Sequence, residues 1–139
     1  MSRRVFVDTD VILDLLLARE PFFPAAAALF LLIQDGEIEG YTSPVVFANL
    51  FYILRQGMSP PEALISLRKL RLLLGVLAVD EKTIDRGLAS SFADFEDAIQ
   101  YYTAVAHNLD AVVTRNKKDY KTAEIPFLDA AECVQLAKS

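Results

Sequence analysis

The chain has 139 residues, of which 53% are hydrophobic and 24% are charged; this composition excludes an intrinsically disordered chain and predicts a single domain over residues 1–139. Its 14 basic and 19 acidic residues give a net charge of −5, which argues against nucleic-acid binding through bulk charge. With one cysteine and one histidine, the chain cannot form an internal disulfide or a Cys/His zinc site, so oxygen atoms would have to supply most ligands of any metal ion.

No segment of the sequence is long and apolar enough to predict a membrane-spanning helix. The longest charge-free segments cover residues 21–34 and 40–54, whereas a span needs about 20 apolar residues. Arg3 and Arg4 resemble the start of a signal peptide, but Asp8 and the aspartates after it interrupt the apolar segment that should follow. The sequence therefore predicts a cytoplasmic protein that does not enter the membrane.

Short apolar strands alternate with helices along the whole chain. In chain order, the pattern predicts a strand over residues 4–7, helices over 11–17 and 25–34, a strand over 38–42, a helix over 44–56, a helix that begins after Ser59, a strand over 76–79, helices over 81–90 and 95–108, strands over 111–114 and 125–128, and a helix over 129–137. This alternation predicts an α/β fold, a three-layer α/β/α sandwich around a mostly parallel sheet of four or five strands. Ligands of such sheets bind at the carboxyl ends of the strands, so functional residues are expected there.

The first acidic cluster follows the first predicted strand. Asp8 comes directly after the apolar residues 5–7, and Thr9 and Asp10 follow it. One aspartate would suffice to cap the next helix, whereas three of them, with Asp14 one turn further on, exceed that need. We therefore interpret Asp8 as a functional residue, while Asp14 fits either a functional or a solvent-exposed position.

The second acidic cluster opens the helix predicted over residues 95–108. Asp94 and Asp97 are three residues apart and are expected on one face of that helix, while Glu96 points elsewhere. The helix dipole also favours acids at a helix N-terminus, which alone would account for all three. Because the apolar residues after Asp97 draw it towards the core, we interpret Asp97 and Asp94 as candidate functional residues.

A third polar cluster follows the strand predicted over residues 111–114. It begins at Thr114 and continues through Arg115 and Asn116 to Asp119. By itself this segment also fits a solvent-exposed turn. Acidic side chains at three strand or helix ends can, however, converge in a small domain and hold Mg²⁺ or Mn²⁺, which prefer carboxylate ligands and keep several waters.

Three segments, residues 5–14, 94–100 and 113–120, resemble the PIN-domain family in order and spacing, and the resemblance extends over nearly the whole chain. That family includes the VapC toxins of bacterial toxin–antitoxin pairs and related endoribonucleases. The resemblance implies that Asp8 and Asp97 hold Mg²⁺ or Mn²⁺, with Asp94 and Asp119 as further catalytic acids. It also implies that several polar residues contact an RNA substrate: Thr9, Asn49, Thr114, Arg115 and Asn116.

Two positions depart from the family pattern. The family usually has a glutamate on the third helix and an aspartate two residues after the Thr114 position, where this chain has Asn49 and Asn116. An asparagine still offers a carbonyl oxygen, but each replacement removes one negative charge and weakens the hold on a divalent ion. The sequence therefore also fits a catalytically weak or inactive PIN-like module that binds nucleic acid or protein.

The implied reaction is metal-assisted hydrolysis of RNA phosphodiester bonds, which requires no side-chain nucleophile. An alternative enzyme class is a haloacid-dehalogenase-type phosphatase with Asp8 as nucleophile and Asp10 as acid and base, because residues 8–11 also resemble the motif of that class. The later acids argue against the phosphatase, since Asp94 and Asp97 open a helix and do not follow an apolar strand.

Basic and leucine-rich segments indicate the partners of the protein. Basic residues at positions 55, 68–71 and 115–118 are expected to steer RNA phosphates, although those at 68–71 fit a solvated helix face equally well. The helix after Ser59 carries more leucines than one face can bury. We predict that some of them line a homodimer or antitoxin contact, with core packing as the alternative: Leu64, Leu67, Leu70, Leu72, Leu73 and Leu74.

Overall fold

A parallel sheet of five strands lies at the centre of the fold in the computed structural model, which describes residues 3–117 and 124–139. The strands are β1 (Arg3–Val7), β2 (Ile38–Thr42), β3 (Gly75–Val76), β4 (Ala111–Val113) and β5 (Phe127–Leu128). In space they follow the order β3-β2-β1-β4-β5, and every neighbouring pair is parallel. The predicted α/β class with a parallel sheet of four or five strands is confirmed.

Helices connect these strands and cover the sheet. In the described part of the chain they are α1 (Thr9–Leu16), α2 (Phe23–Gln34), α3 (Pro44–Leu54), α4 (Pro60–Leu73), α5 (Glu81–Ala89), α6 (Phe95–Ala106) and α7 (Ala130–Lys138). Helix α5 packs against α6, which lies over β1 and β4, whereas α2 packs against α1, α7 and β2. No helix within the described ranges is both long enough and apolar enough to cross a membrane.

The strand register assigns the helices to two faces of the sheet. Val5 of β1 lies opposite Gly40 of β2, and a Cβ atom at Gly40 would lie 2.7 Å from Ile33 of α2. That face therefore carries α2. On the opposite face, the ring of Phe127 stacks on Tyr101 of α6, with 5.4 Å between the ring centroids. Helices cover both faces, as the three-layer prediction requires.

Helices α4 and α7 begin next to capping residues, at the places where the sequence predicted them to begin. Ser59 and Asp129 each accept a hydrogen bond from the backbone N–H three residues later. The side chains of Glu62 and Glu132 in turn accept a hydrogen bond from the backbone N–H of the cap, which completes a capping box on α4 and on α7. These bonds satisfy N–H groups that have no partner within the helix.

The strand predicted over residues 76–79 is wrong in extent, because β3 covers only Gly75 and Val76. The Leu77 N–H still donates to Thr42 O at 2.8 Å, but the chain then leaves the sheet and reaches Asp80, which caps α5. The helices predicted over residues 44–56 and 95–108 also end two residues earlier, at Leu54 and Ala106.

Candidate active site

Two polar residues meet where the central strands β1 and β4 end. Asp8 directly follows β1, and Thr114 directly follows β4. The Asp8 N–H donates to Val113 O at 2.9 Å, and Thr114 Oγ1 donates to Asp8 Oδ2 at 2.9 Å. The parallel pairing of neighbouring strands thus joins the first and the third polar clusters of the sequence.

Asp8 is held in place and is crowded by other carboxylates. Its side chain caps α1, with Oδ1 accepting from the Thr9 N–H at 2.7 Å. Burial, followed by the nearby charge of Asp10, raises the pKa of Asp8 from the usual 3.8 to about 7, and Asp97 adds to the rise. The hydrogen bonds from Thr114 and Thr9 act in the opposite direction. A cation at this place would therefore stabilise the buried carboxylate.

Asp10 ties the segment after β4 to α1. Its Oδ2 accepts from Thr114 Oγ1 and from the Arg115 N–H, both at 3.2 Å, whereas its buried Oδ1 has no hydrogen-bond partner among the described residues. Burial raises the pKa of Asp10, and the hydrogen bonds from Arg115 and Thr114 oppose the rise. Asp10 therefore organises the wall of the site and adds to the negative charge around Asp8.

The second acidic cluster reaches the same place from α6. Asp94 precedes the helix and caps it, since its Oδ1 accepts from the Asp97 N–H at 3.0 Å. A role at the helix N-terminus, which the sequence left open, is therefore observed for Asp94 as a cap, and Asp94 also lines the cleft described next. Asp97 lies in the first turn of α6 and lines the same cleft as Asp8.

These elements enclose a cleft of about 340 Å³ whose lining is mostly polar. The cleft is lined by Asp8, Thr9, Asp10, Leu13, Arg19, Asp94, Glu96, Asp97, Gln100, Arg115 and Asn116. It shares four of these residues with an inner recess of about 10 Å³, which is close to the room for one water-sized particle. The recess is lined by Asp8, Asp97, Gln100, Val112, Thr114, Asn116 and Phe127.

The expectation that Glu96 points elsewhere is wrong, because Glu96 lines the cleft. Three further cleft residues, Leu13, Arg19 and Gln100, were not identified from the sequence. Gln100 is buried on α6, and its Nε2 donates to Glu96 Oε1 at 3.2 Å. Its spacing of three residues after Asp97 was an available signal, because it places both residues on one helix face. Arg19 lies in the connection between α1 and α2, where no periodic pattern indicates which way a side chain points.

Some predicted site residues lie elsewhere. Asn49 is half-buried on α3 and is not among the residues that line the cleft or the recess. Asp119 lies outside the described residues. Arg68 and Arg71, two of the basic residues expected to steer RNA, are on α4 and do not line the cleft. His107 ends α6 and its ring nitrogen lies 3.0 Å from Ala78 O, in keeping with a packed residue.

The oxygen atoms of the recess fit a divalent ion that is held by few protein ligands. Asp8 and Asp97 line it together with Thr114, Asn116 and Gln100, residue types that each carry a side-chain oxygen. Within the described ranges, no group of three or more His, Cys, Asp or Glu side chains is arranged to hold a metal ion. Mg²⁺ commonly binds through one or two carboxylates and keeps several waters, so this set fits a weak Mg²⁺ or Mn²⁺ site better than a closed cage.

Comparison with known proteins gives a family match over most of the chain. The family model described as PIN domain matches residues 4–118, a range that contains Asp8, Asp97 and Asn116. No protein with a curated description matches the sequence.

Solved structures of toxin–antitoxin proteins share the fold. A toxin–antitoxin complex from Klebsiella pneumoniae aligns with a TM-score of 0.67 and 20% identity, over 92% of this chain and 98% of that chain. VapBC-1 from nontypeable Haemophilus influenzae aligns with a TM-score of 0.68 and 14% identity, over 91% and 98%. VapC20 from Mycobacterium tuberculosis, a toxin that cleaves the sarcin–ricin loop, aligns with a TM-score of 0.62 and 17% identity, over 78% and 86%.

Proposed function

Because this chain belongs to the PIN-domain family, we propose that it is a metal-dependent endoribonuclease that hydrolyses RNA phosphodiester bonds in the cleft beyond β1 and β4. The observation that carries the proposal is the convergence of Asp8 and Asp97 on one recess, from β1 and from α6. A hydrogen bond from Thr114 orients Asp8, and Asp94 caps the helix that carries Asp97. The carboxylate of Asp8 and the backbone of Asp97 are therefore held in place before a ligand binds.

In this proposal Asp8 and Asp97 hold Mg²⁺ or Mn²⁺, and Asn116 offers a neutral oxygen ligand beside them. Asp94 and Asp119 are the further acids of the site. When bound, the ion would activate water and stabilise charge on the phosphate oxygens. The chain's own residues orient the metal ligand and shape the recess. Thr114 fixes the Asp8 carboxylate through a hydrogen bond, and Val112 and Phe127 form the apolar part of the recess. Three further residues are proposed to contact the RNA: Thr9, Asn49 and Arg115.

Family membership, together with the fold shared with VapBC and other toxin–antitoxin structures, supports a role as the toxin of such a pair. We expect an antitoxin protein as partner, a homodimer as the free form of the toxin, and a cytoplasmic location. The phosphatase alternative has no support from the family match.

The test is a calorimetric titration of the purified protein with Mn²⁺ and Mg²⁺, with cleavage of RNA followed in parallel. The wild type is expected to bind metal weakly and to cut RNA. The double variant Asp8→Asn, Asp97→Asn is expected to lose metal binding and to cut at least roughly 100-fold more slowly, because both charged ligands are gone.

The control is Asp85→Asn, which removes one carboxylate, half of what the double variant loses, from an exposed position on α5. It should bind metal and cut RNA as the wild type does. A double variant that cuts RNA at the wild-type rate would show that the reaction does not use this recess.

A catalytically inactive PIN-like binding module is the second candidate. Two observations favour it: Asn116 stands in the recess, and no group of three acids is arranged to hold a metal ion within residues 3–117 and 124–139. A wild type that binds RNA, takes up no ion at millimolar concentration and leaves RNA intact would support this candidate over the nuclease.

A further inference from the structure

Asp14 is a buried acid that holds two arginines. It lies in the second half of α1, and each of its oxygen atoms meets a different guanidinium group. Arg19 Nε lies 3.0 Å from Oδ1, and Arg115 Nε lies 2.9 Å from Oδ2. The first contact is a hydrogen bond, whereas the second is an ion pair without hydrogen-bond alignment. We call these three residues the Asp14 triad.

The Asp14 triad has an excess of positive charge at the wall of the cleft. One arginine would neutralise the buried carboxylate, so the second adds a positive charge that the fold does not need for this purpose. The side chains of Arg19 and Arg115 are 37% and 32% exposed, and both line the cleft. Lys117, by contrast, is neutralised, because its Nζ lies 2.5 Å from Glu132 Oε1.

Both guanidinium groups are oriented before any ligand binds. Arg19 Nη2 donates to Asp10 O at 3.1 Å, and the Arg115 guanidinium carbon lies 4.0 Å from the ring centroid of Phe22. Asp14 contacts each arginine through Nε. It therefore does not use the outer Nη donors with which arginine recognises phosphate.

We propose that Arg19 and Arg115 bind backbone phosphates of the RNA strand next to the scissile bond, and that Asp14 is their positioning residue. This inference rests on the proposed ribonuclease function and adds Arg19 and Asp14 to its site. The acids of the same cleft repel a polyanion, and two fixed guanidinium groups offset that repulsion locally. A chain with a net charge of −5 can therefore bind RNA, because phosphate contacts require local and not overall positive charge.

The test measures RNA binding at several salt concentrations, separately from cleavage. Fluorescence anisotropy of a labelled single-stranded RNA of mixed sequence is recorded in EDTA for the wild type, Arg19→Gln and Arg115→Gln. Each phosphate contact contributes about 0.7 to the slope of log affinity against log salt for a single strand. We expect each variant to lose about 0.7 of this slope and to bind RNA roughly tenfold more weakly at low salt.

Arg86→Gln is the matched control for total charge. Arg86 is on α5, forms an exposed ion pair with Glu124 at 3.5 Å and does not line the cleft. Equal salt slopes for Arg19→Gln, Arg115→Gln and Arg86→Gln would overturn the inference, while cleavage by the wild type with Mg²⁺ would leave the proposed function standing. A wild type that neither binds RNA in EDTA nor cuts it with Mg²⁺ would overturn both.

Asp14→Asn distinguishes a positioning role from an effect of total charge, because the two predict opposite changes in RNA affinity. If only total charge mattered, removal of a negative charge would strengthen RNA binding. If Asp14 positions the arginines, RNA binding weakens although the protein becomes less negative. Stronger binding by an Asp14→Asn protein that circular dichroism shows to be folded would overturn the positioning role.

Arg115→Lys keeps the positive charge and leaves Asp14 in place. It therefore tests oriented recognition without a change of the buried carboxylate. Lysine lacks the planar group that stacks on Phe22 and the fork that matches phosphate. We expect weaker RNA binding with the wild-type salt slope, and wild-type affinity in this variant would argue against oriented recognition.

Discussion

Asp8 caps α1 and at the same time carries a charge that its surroundings disfavour. Burial and the charge of Asp10 raise its pKa to about 7. Between about pH 4 and pH 7 the folded protein therefore keeps a proton that the unfolded chain has released. In the absence of metal, this group makes the protein less stable as the pH rises through that interval. A divalent cation at Asp8 would oppose the effect, since it favours the charged carboxylate.

We predict that Asp8→Asn stabilises the metal-free protein by roughly 1 to 3 kcal/mol at about pH 8 and has no effect at about pH 4. Asparagine caps helices as well as aspartate does, so the cap of α1 is retained. Urea unfolding in EDTA, followed by circular dichroism, measures the difference, with Asp85→Asn as the control. A change of the same size at both pH values would contradict the cause assigned to the pKa shift.

A single substitution at Asn116 should raise the affinity of the recess for a divalent ion. It lines the recess with Asp8 and Asp97, and an aspartate there would add a third negative charge. Because ligand charge tunes the affinity for divalent ions, we expect Asn116→Asp to tighten Mn²⁺ binding roughly tenfold in calorimetry. Gln56→Glu adds the same charge at an exposed position and should leave the affinity unchanged. Equal gains in the two variants would indicate a general charge effect.

Individual candidate residues could be predicted from the sequence where they lie at the end of a strand or a helix. Asp8, Asp97 and Thr114 were found because strand and helix ends are visible in the hydrophobic pattern. The role of Asp14 was left open, since a helical position alone does not reveal burial. Its partners Arg19 and Arg115 come from two separate connections, and an ion pair between distant segments leaves no periodic trace in a sequence.

The start of α6 joins helix stability to the acidity of the cleft. Asp94 accepts a hydrogen bond from the Asp97 N–H, so the residue that caps the helix also places Asp97. We expect Asp94→Ala to destabilise the protein by about 1 kcal/mol and Asp94→Asn to be neutral in urea unfolding, because asparagine is a good cap. Asp94→Asn should nevertheless weaken Mn²⁺ binding a few-fold, since a carboxylate at the cleft is lost. If Asp94→Asn leaves the affinity for Mn²⁺ unchanged, Asp94 acts only as a helix cap.

Elements were predicted better in type than in extent. The capping residues of α4 and α7 were visible in the sequence, because serine or aspartate before a glutamate three residues later is a local signal. The strand at residues 76–79 was predicted too long, since an apolar β-branched run does not reveal where the chain leaves the sheet. Strand β3 is at the edge of the sheet and pairs only with β2 there, which limits its length.

At the scale of the whole molecule, the order of the strands brings the residues of the cleft together. Alternating strands and helices predicted a parallel sheet, but not that β1 and β4 would be neighbours, because pairing depends on contacts between distant segments. That neighbour relation brings Thr114 to Asp8, and the α6 helix over the same two strands brings Asp97. The sequence therefore identified Asp8, Asp97 and Thr114 as candidate residues, whereas their arrangement in space required the topology.

The leucines of α4 divide between the core and the surface. Leu67, Leu70 and Leu74 are buried, which confirms core packing for this part of the set, whereas Leu72 is 87% exposed. Ile65, which is 48% exposed, lies two turns before Leu72 on the same face of α4, and a patch of exposed apolar side chains is expected at a contact between protein chains. We predict that the free protein sediments as a homodimer and that Leu72→Glu shifts it towards the monomer, because a buried glutamate would oppose the contact.

The control is Leu88→Glu on α5, where the leucine is 68% exposed. Analytical ultracentrifugation over a range of concentrations measures the equilibrium, and a wild type that is monomeric throughout would contradict the prediction.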